Sequence, residues 1–165
     1  MIELIVLDVD GCLSDGKITY TNHDEEIKSF NVKDGLAIAS WIKLGKKVAI
    51  ITGRSSKIVE KRAGELRIEY YFQGVKNKLE KLDELLDSLE LKRENVAAVG
   101  DDFNDYKMLK IVGKSFTPKD GISELKEMVD VVLSKNGGDG AVREMIDMII
   151  KEDNKLQKRF LELWT

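Results

Sequence analysis

Glu3-Leu-Ile-Val-Leu-Asp8-Val-Asp10-Gly11 is the stretch that decides the fold. Its aliphatic run lacks period-two alternation, the mark of a strand covered on both faces. It ends in two carboxylates two positions apart and a glycine at which the chain can turn. Working outward, similar runs recur at 47–51, 69–72, 95–99 and 129–133, with a weaker one at 115–117. Helix-period segments lie between them at 36–44, 56–66, 79–89, 105–112 and 122–128. This alternation predicts an α/β fold: a Rossmann-like, doubly wound parallel sheet with right-handed crossovers. Ligands of such sheets bind beyond the C-terminal strand ends, where the two carboxylates fall.

One segment departs from the pattern. Strand-like runs at 17–20 and 27–32 flank the polar Asn22-His-Asp-Glu25, which predicts a β-hairpin flap over about 15–32, straight after the first strand. At the other end, Asn136-Gly-Gly-Asp-Gly140 predicts a flexible loop leading into an amphipathic helix with apolar residues at 142, 145, 146, 149, 156, 160 and 164. With 165 residues and no Pro/Gly/Ser linker, one domain over 1–165 is expected. The balance of 27 basic against 30 acidic residues excludes a strongly basic nucleic-acid binder. No apolar run approaches the ~20 residues of a membrane span. One Cys and one His cannot form a disulfide or a zinc site, so a reducing, cytoplasmic location is expected.

A second acidic cluster, Gly100-Asp-Asp-Phe-Asn-Asp105, follows the 95–99 strand. Either cluster alone reads equally well as turn formers and helix caps. Two of them at neighbouring strand ends would repel unless a cation joined them, and an all-oxygen donor set favours Mg²⁺. Thr52-Gly53-Arg54 and Lys78 follow two further strands. Hydroxyl, glycine amides and cations suit a phosphoryl group, although Lys78 on a Lys/Glu-rich helix also reads as a solvated lysine. Cys12 is expected to pack, not react, because neighbouring carboxylates disfavour its thiolate.

In this order, Asp8-x-Asp10-Gly11, Thr52-Gly53, Lys78 and Gly100-Asp101-Asp102-x-x-Asp105 resemble the four motifs of the haloacid dehalogenase superfamily. The resemblance implies a nucleophilic Asp8 that forms an aspartyl-phosphate, and Asp10 as general acid and base. It also implies Mg²⁺ on Asp8, the Asp10 carbonyl and Asp101, with Asp102 acting behind them, and phosphoryl contacts from Thr52 and Lys78. Within the superfamily the whole chain resembles the 3-deoxy-D-manno-octulosonate 8-phosphate phosphatase family, through the hairpin, Asn31-Val32-Lys33-Asp34-Gly35 and Gly137-Gly-Asp-Gly140. That resemblance implies sugar-acid contacts from residues 31–35, Arg54 and Arg62, and a role in lipopolysaccharide precursor synthesis. Ala39 departs from the Arg found in some relatives, and Arg62 reads equally as a surface arginine paired within its helix.

Two other readings share these residues. A sialic-acid-type nonulosonate 9-phosphate would need the same machinery, and a receiver domain also gathers acidic residues, Thr, Lys and Mg²⁺. A receiver needs no Asp-x-Asp, however, and carries its phosphorylated Asp on a later strand. The gaps between motifs hold only the hairpin, one helix and one strand, so the fold is capless. Cover is then expected from neighbours in a homotetramer, with the Gly137–Gly140 tail reaching an adjacent site.

Overall fold

A computed structural model describes all 165 residues. Six parallel strands form the sheet: β1 (Leu4–Leu7), β4 (Lys47–Ile51), β5 (Tyr70–Phe72), β6 (Val96–Val99), β7 (Lys114–Thr117) and β8 (Val131–Val132), in the order β5-β4-β1-β6-β7-β8. Central β1 pairs Leu4 with Lys47 on one side and Val96 on the other, and Leu7 with Ile50 and Val99. The chain winds outward from β1 through β4 to β5, then crosses back to β6. The switch point therefore lies between β1 and β6, where the two acidic clusters leave the sheet.

The unpatterned strand sequences are explained by a core on each face. Ile5, Leu7, Val48, Ile50, Ala97 and Val99 face one cluster, which contains Trp41 and Ile38 of α1 (Val32–Lys43), Val59 and Ala63 of α2 (Lys57–Glu65) and Ile146 of α6 (Ala141–Lys151). Leu4, Val6, Ala49, Ile51, Val96 and Ala98 face the other, with Leu82, Leu85 and Leu86 of α3 (Lys78–Leu89), Met108 and Leu109 of α4 (Phe103–Leu109) and Leu125 of α5 (Ser123–Lys126). Both sides of each strand are apolar, so period two disappears from the sequence while remaining in the packing.

The hairpin strands are short: β2 (Thr19–Tyr20) pairs antiparallel with β3 (Glu26–Ile27). Helix α1 begins at Val32, four residues before the apolar periodicity, because the Asn31 side chain accepts from Lys33 N at 2.8 Å and caps its first turn. The single C-terminal helix expected from the apolar stripe is two. At the point where the stripe skips Glu152 and Asp153, the Asp153 carboxylate accepts from Lys155 N and Leu156 N and starts α7 (Asn154–Glu162). No helix is long and apolar enough to cross a membrane.

Within one chain the glycine tail packs against its own domain. Gly138 N donates to Cys12 O at 2.9 Å, and Gly137 N donates to the Asp120 carboxylate at 2.9 Å. A Cβ on residue 137 would strike the Gly11 carbonyl, and Gly138 turns with φ +72°. The tail thus clamps the turn that carries Asp10 and Gly11.

Two glycine substitutions should therefore act in opposite directions on the urea midpoint. Gly137→Ala destabilises by roughly 1–3 kcal/mol through the forced shift of that turn. Gly64→Ala, on the exposed face of α2 with nothing within 4 Å of the added Cβ, stabilises by about 0.5 kcal/mol.

Candidate active site

Beyond the ends of β1, β4 and β6 lies a cleft of about 480 Å³ lined by Asp8, Asp10, Thr52, Gly53, Arg54, Asp101, Asp102 and Asn104, with Gly16 and Ile18 from the hairpin approach. Asp8 is the first residue past β1 and nearly fully buried. After it the chain turns through Gly11 at φ +95°, where a Cβ would collide with the Asp101 carboxylate. Glycine at position 11 is what lets the two acidic clusters meet.

Lys78, the first residue of α3, lies behind Asp8. Its ammonium donates to Asp8 Oδ1 at 2.7 Å and to Asp105 Oδ1 at 2.6 Å. The other oxygen of Asp105 accepts from the backbone N–H groups of Asp101 and Asp102. Asp105 therefore holds the lysine and the second acidic turn at once. Desolvation by burial and the Asp105 charge raise Asp8 to about 6, against the pull of Lys78. Burial and the charges of Asp8, Asp105 and Asp102 raise Asp101 to about 8. Burial and the charges of Asp8, Asp101 and Asp105 push the Cys12 thiol well up, so it stays a packed thiol.

Ligand atoms of Asp8, Cys12 and Asp101 lie within 4.8 Å of one another. Two crowded carboxylates whose anionic forms burial disfavours are a donor set suited to a small hard cation. With Cys12 protonated, the available ligands are oxygen. The site therefore fits Mg²⁺.

At the mouth of the cleft, Asp10 is gripped from the hairpin. Lys28 Nζ donates to Asp10 Oδ1 and lies 3.3 Å from Glu26. Arg54 donates to the same Glu26 oxygen at 3.1 Å, and its Nε lies 3.8 Å from Asp10 Oδ2. Desolvation would raise Glu26, but hydrogen bonds from Ser56, Lys28 and Arg54 hold it below the usual carboxylate range. Lys28 and Asn104 escaped the sequence reading. Lys28 lies in a strand-like run where a lysine reads as solvated, and Asn104 is a bystander within an acidic motif.

Thr52 is buried at the end of β4, with its backbone bridging Phe72 O and Val75 N. Asp102 caps α4, accepting from Phe103 N at 2.7 Å, and lines the cleft. Residues 31–35 are the cap and first turn of α1, and within one chain none of them lines the cleft. Val32 projects into solvent. Gly35 packs against the Arg62 guanidinium and Leu66. Arg62 pairs with Glu65 at 3.3 Å and lies over the Phe30 ring.

A haloacid dehalogenase-like hydrolase family matches residues 72–146. The chain is 44% identical to the 3-deoxy-D-manno-octulosonate 8-phosphate phosphatase KdsC of Escherichia coli K12, covering 95% of this chain and 84% of that protein. The Yersinia pestis KdsC is 42% identical over 94% of this chain and 83% of its own length. The Moraxella catarrhalis 3-deoxy-D-manno-octulosonate 8-phosphate phosphatase, solved with magnesium ion, phosphate ion and KDO, superposes with a TM-score of 0.94 at 38% identity, covering 98% of this chain and 93% of that one.

Asp34 gives this region a measurable pH signature. Its side chain is buried, Oδ1 accepts from Arg143 N at 2.7 Å at the start of α6, and Oδ2 has no partner. Burial raises it to about 6 despite hydrogen bonds from Arg143 and Gly140. The folded chain then holds this proton more tightly than the unfolded one, so stability falls as pH rises from about 4 to about 6 and is level above that. Asp34→Asn removes this contribution. Between pH 4 and 7 its urea-derived stability should gain on the wild type by on the order of 2 kcal/mol; parallel curves would contradict the assignment.

Proposed function

Since the chain belongs to the 3-deoxy-D-manno-octulosonate 8-phosphate phosphatase family of haloacid dehalogenase-like hydrolases, we propose that it hydrolyses 3-deoxy-D-manno-octulosonate 8-phosphate to the free sugar acid and phosphate. Mg²⁺ is its cofactor, and the reaction serves the supply of lipopolysaccharide precursor. One observation carries the reading: Asp8, Asp10 and Asp101 share a cleft with Thr52 and Arg54. Membership of a hydrolase family leaves no place for the receiver alternative, in which the phosphorylated carboxylate is the end product.

Asp8 attacks phosphorus and becomes an aspartyl-phosphate. As the bond from phosphorus to the ester oxygen breaks, Asp10 gives that oxygen its proton, and it later takes one from the hydrolytic water. Asp8, the Asp10 carbonyl and Asp101 hold Mg²⁺, with Asp102 acting behind them, and the bound ion offsets repulsion between an anionic nucleophile and a phosphate dianion. Lys78 aims Asp8 and adds positive charge beside the phosphoryl oxygens, and the Thr52 hydroxyl donates to them. The planar fork of Arg54 suits the sugar's carboxylate.

Residues 31–35 and Arg62 contact substrate, in this reading, across a subunit boundary in a homotetramer. Support comes from the exposed apolar side chains Ile18, Tyr20, Ile27, Val32 and Leu36 on the hairpin and the start of α1. A cytoplasmic location belongs to the same reading, with the free Cys12 thiol in its favour.

Phosphate release should require Mg²⁺, stop with EDTA and favour the eight-carbon sugar-acid phosphate over its nine-carbon analogue and hexose phosphates. A marked preference for an unrelated phosphate would refute the substrate. Asp8→Asn should lose on the order of 10³-fold or more, and Asp10→Asn roughly 10²–10⁴-fold. A fully active monomer in sedimentation would refute the tetramer.

A further inference from the structure

Four charged side chains form one ion-pair group at the hairpin side of the cleft: Asp10 and Arg54, which line it, and Glu26 and Lys28, which do not. The two cations differ in one respect. The Lys28 side chain is 0% exposed, whereas that of Arg54 is 44% exposed. Lys28 does not line the cleft; it reaches Asp10 Oδ1 from the residue just past β3. An ammonium without water must keep its carboxylate partners. Its contacts with Asp10 Oδ1 and Glu26 therefore persist whichever way the solvated Arg54 turns.

Arg54 faces the other oxygen of Asp10 across 3.8 Å, beyond direct hydrogen-bond reach. If Arg54 turns to a substrate carboxylate, Asp10 Oδ2 is left open to the cleft while Oδ1 stays fixed. We infer that Lys28 is a positioning residue for the reaction: it holds Asp10 through Oδ1 so that Oδ2 is aimed at the oxygen leaving phosphorus. This rests on the general-acid role proposed above for Asp10. In the step concerned, the bond from phosphorus to the ester oxygen breaks, its electron pair stays on that oxygen, and the proton from Asp10 completes the alcohol. The hairpin is then more than a wall of the cleft, since its docking sets the direction of the acid.

A plainer role, in which Lys28 only pins the hairpin to the domain, predicts different kinetics. Turnover is compared on the sugar-acid phosphate, whose alkoxide needs a proton to leave, and on p-nitrophenyl phosphate, whose phenolate needs little help. Lys28→Met should lower kcat on the sugar phosphate by ~10–100-fold, part of the ~10²–10⁴-fold a general acid supplies, with a much smaller fall on p-nitrophenyl phosphate and little change in KM. In the Asp10→Asn background the same substitution should add nothing, and Lys28→Arg should recover most of the lost rate. Equal losses on both substrates, or a Lys28→Met loss that multiplies the Asp10→Asn loss, would overturn the inference and leave the pinning role. If Asp10→Asn itself shows no dependence on leaving group, the acid role of Asp10 falls, and this inference with it. Lys28 lies outside both cores, so a melting transition should persist in Lys28→Met; if it does not, Lys28→Gln carries the same comparison, and equal losses there overturn the inference too.

Discussion

The buried ammonium of Lys78, held between Asp8 and Asp105 at 2.7 and 2.6 Å, is the contact from which the rest of the site follows. Desolvation alone would strip its charge, but the two carboxylates outweigh that and hold it above the ordinary lysine range. One cation facing Asp8, Asp101 and Asp105 leaves the cleft floor short of positive charge, which is why burial and mutual repulsion still raise Asp8 and Asp101. The position of that ammonium is a packing result. Asn77 caps α3, and Leu82, Leu85 and Leu86 seat the helix in the second core. Asp105 passes the constraint onward by collecting the amides of Asp101 and Asp102.

What the sequence revealed and what it concealed divide by range. Asp8, Asp10, Asp101 and Thr52 were legible because each lies within three residues of the end of an apolar run, and a strand end is a local pattern. Lys28 was not, since Glu25-Glu-Ile-Lys28 has the composition of a solvated strand and only docking onto Asp10, eighteen positions earlier, buries it. The start of α1 was hidden for a different reason. Its first turn carries Lys33, Asp34 and Gly35, which look like a loop, and the partner that explains Asp34 is Arg143 N, 109 positions away. Glu152 and Asp153 were passed over because an apolar stripe on both sides suggested one helix, although a carboxylate at the break is a helix-starting signal.

The capless build also accounts for the hairpin's chemistry. Gly16 and Ile18 wall the cleft at the place where a larger insertion would stand. An arm with only a four-residue ladder cannot hold itself in place by backbone pairing. The ion pairs of Lys28 and Glu26 with Asp10 and Arg54 supply the docking that its short strands lack.

Floor and mouth therefore have opposite charge logic. Around Lys78 the floor carries excess negative charge, which calls for a bound cation before a phosphate dianion can approach. The mouth sets two cations, Lys28 and Arg54, against Asp10 and Glu26, so it does not oppose an anionic substrate entering past it. It can also change partners at low cost. Arg54 is part-solvated and can exchange Glu26 for a substrate carboxylate, because Lys28 remains beside Glu26 at 3.3 Å and no buried charge is left unpaired. Two lysines thus divide the site by depth: Lys78 holds Asp8 from beneath, and Lys28 leaves the exposed arginine free to move.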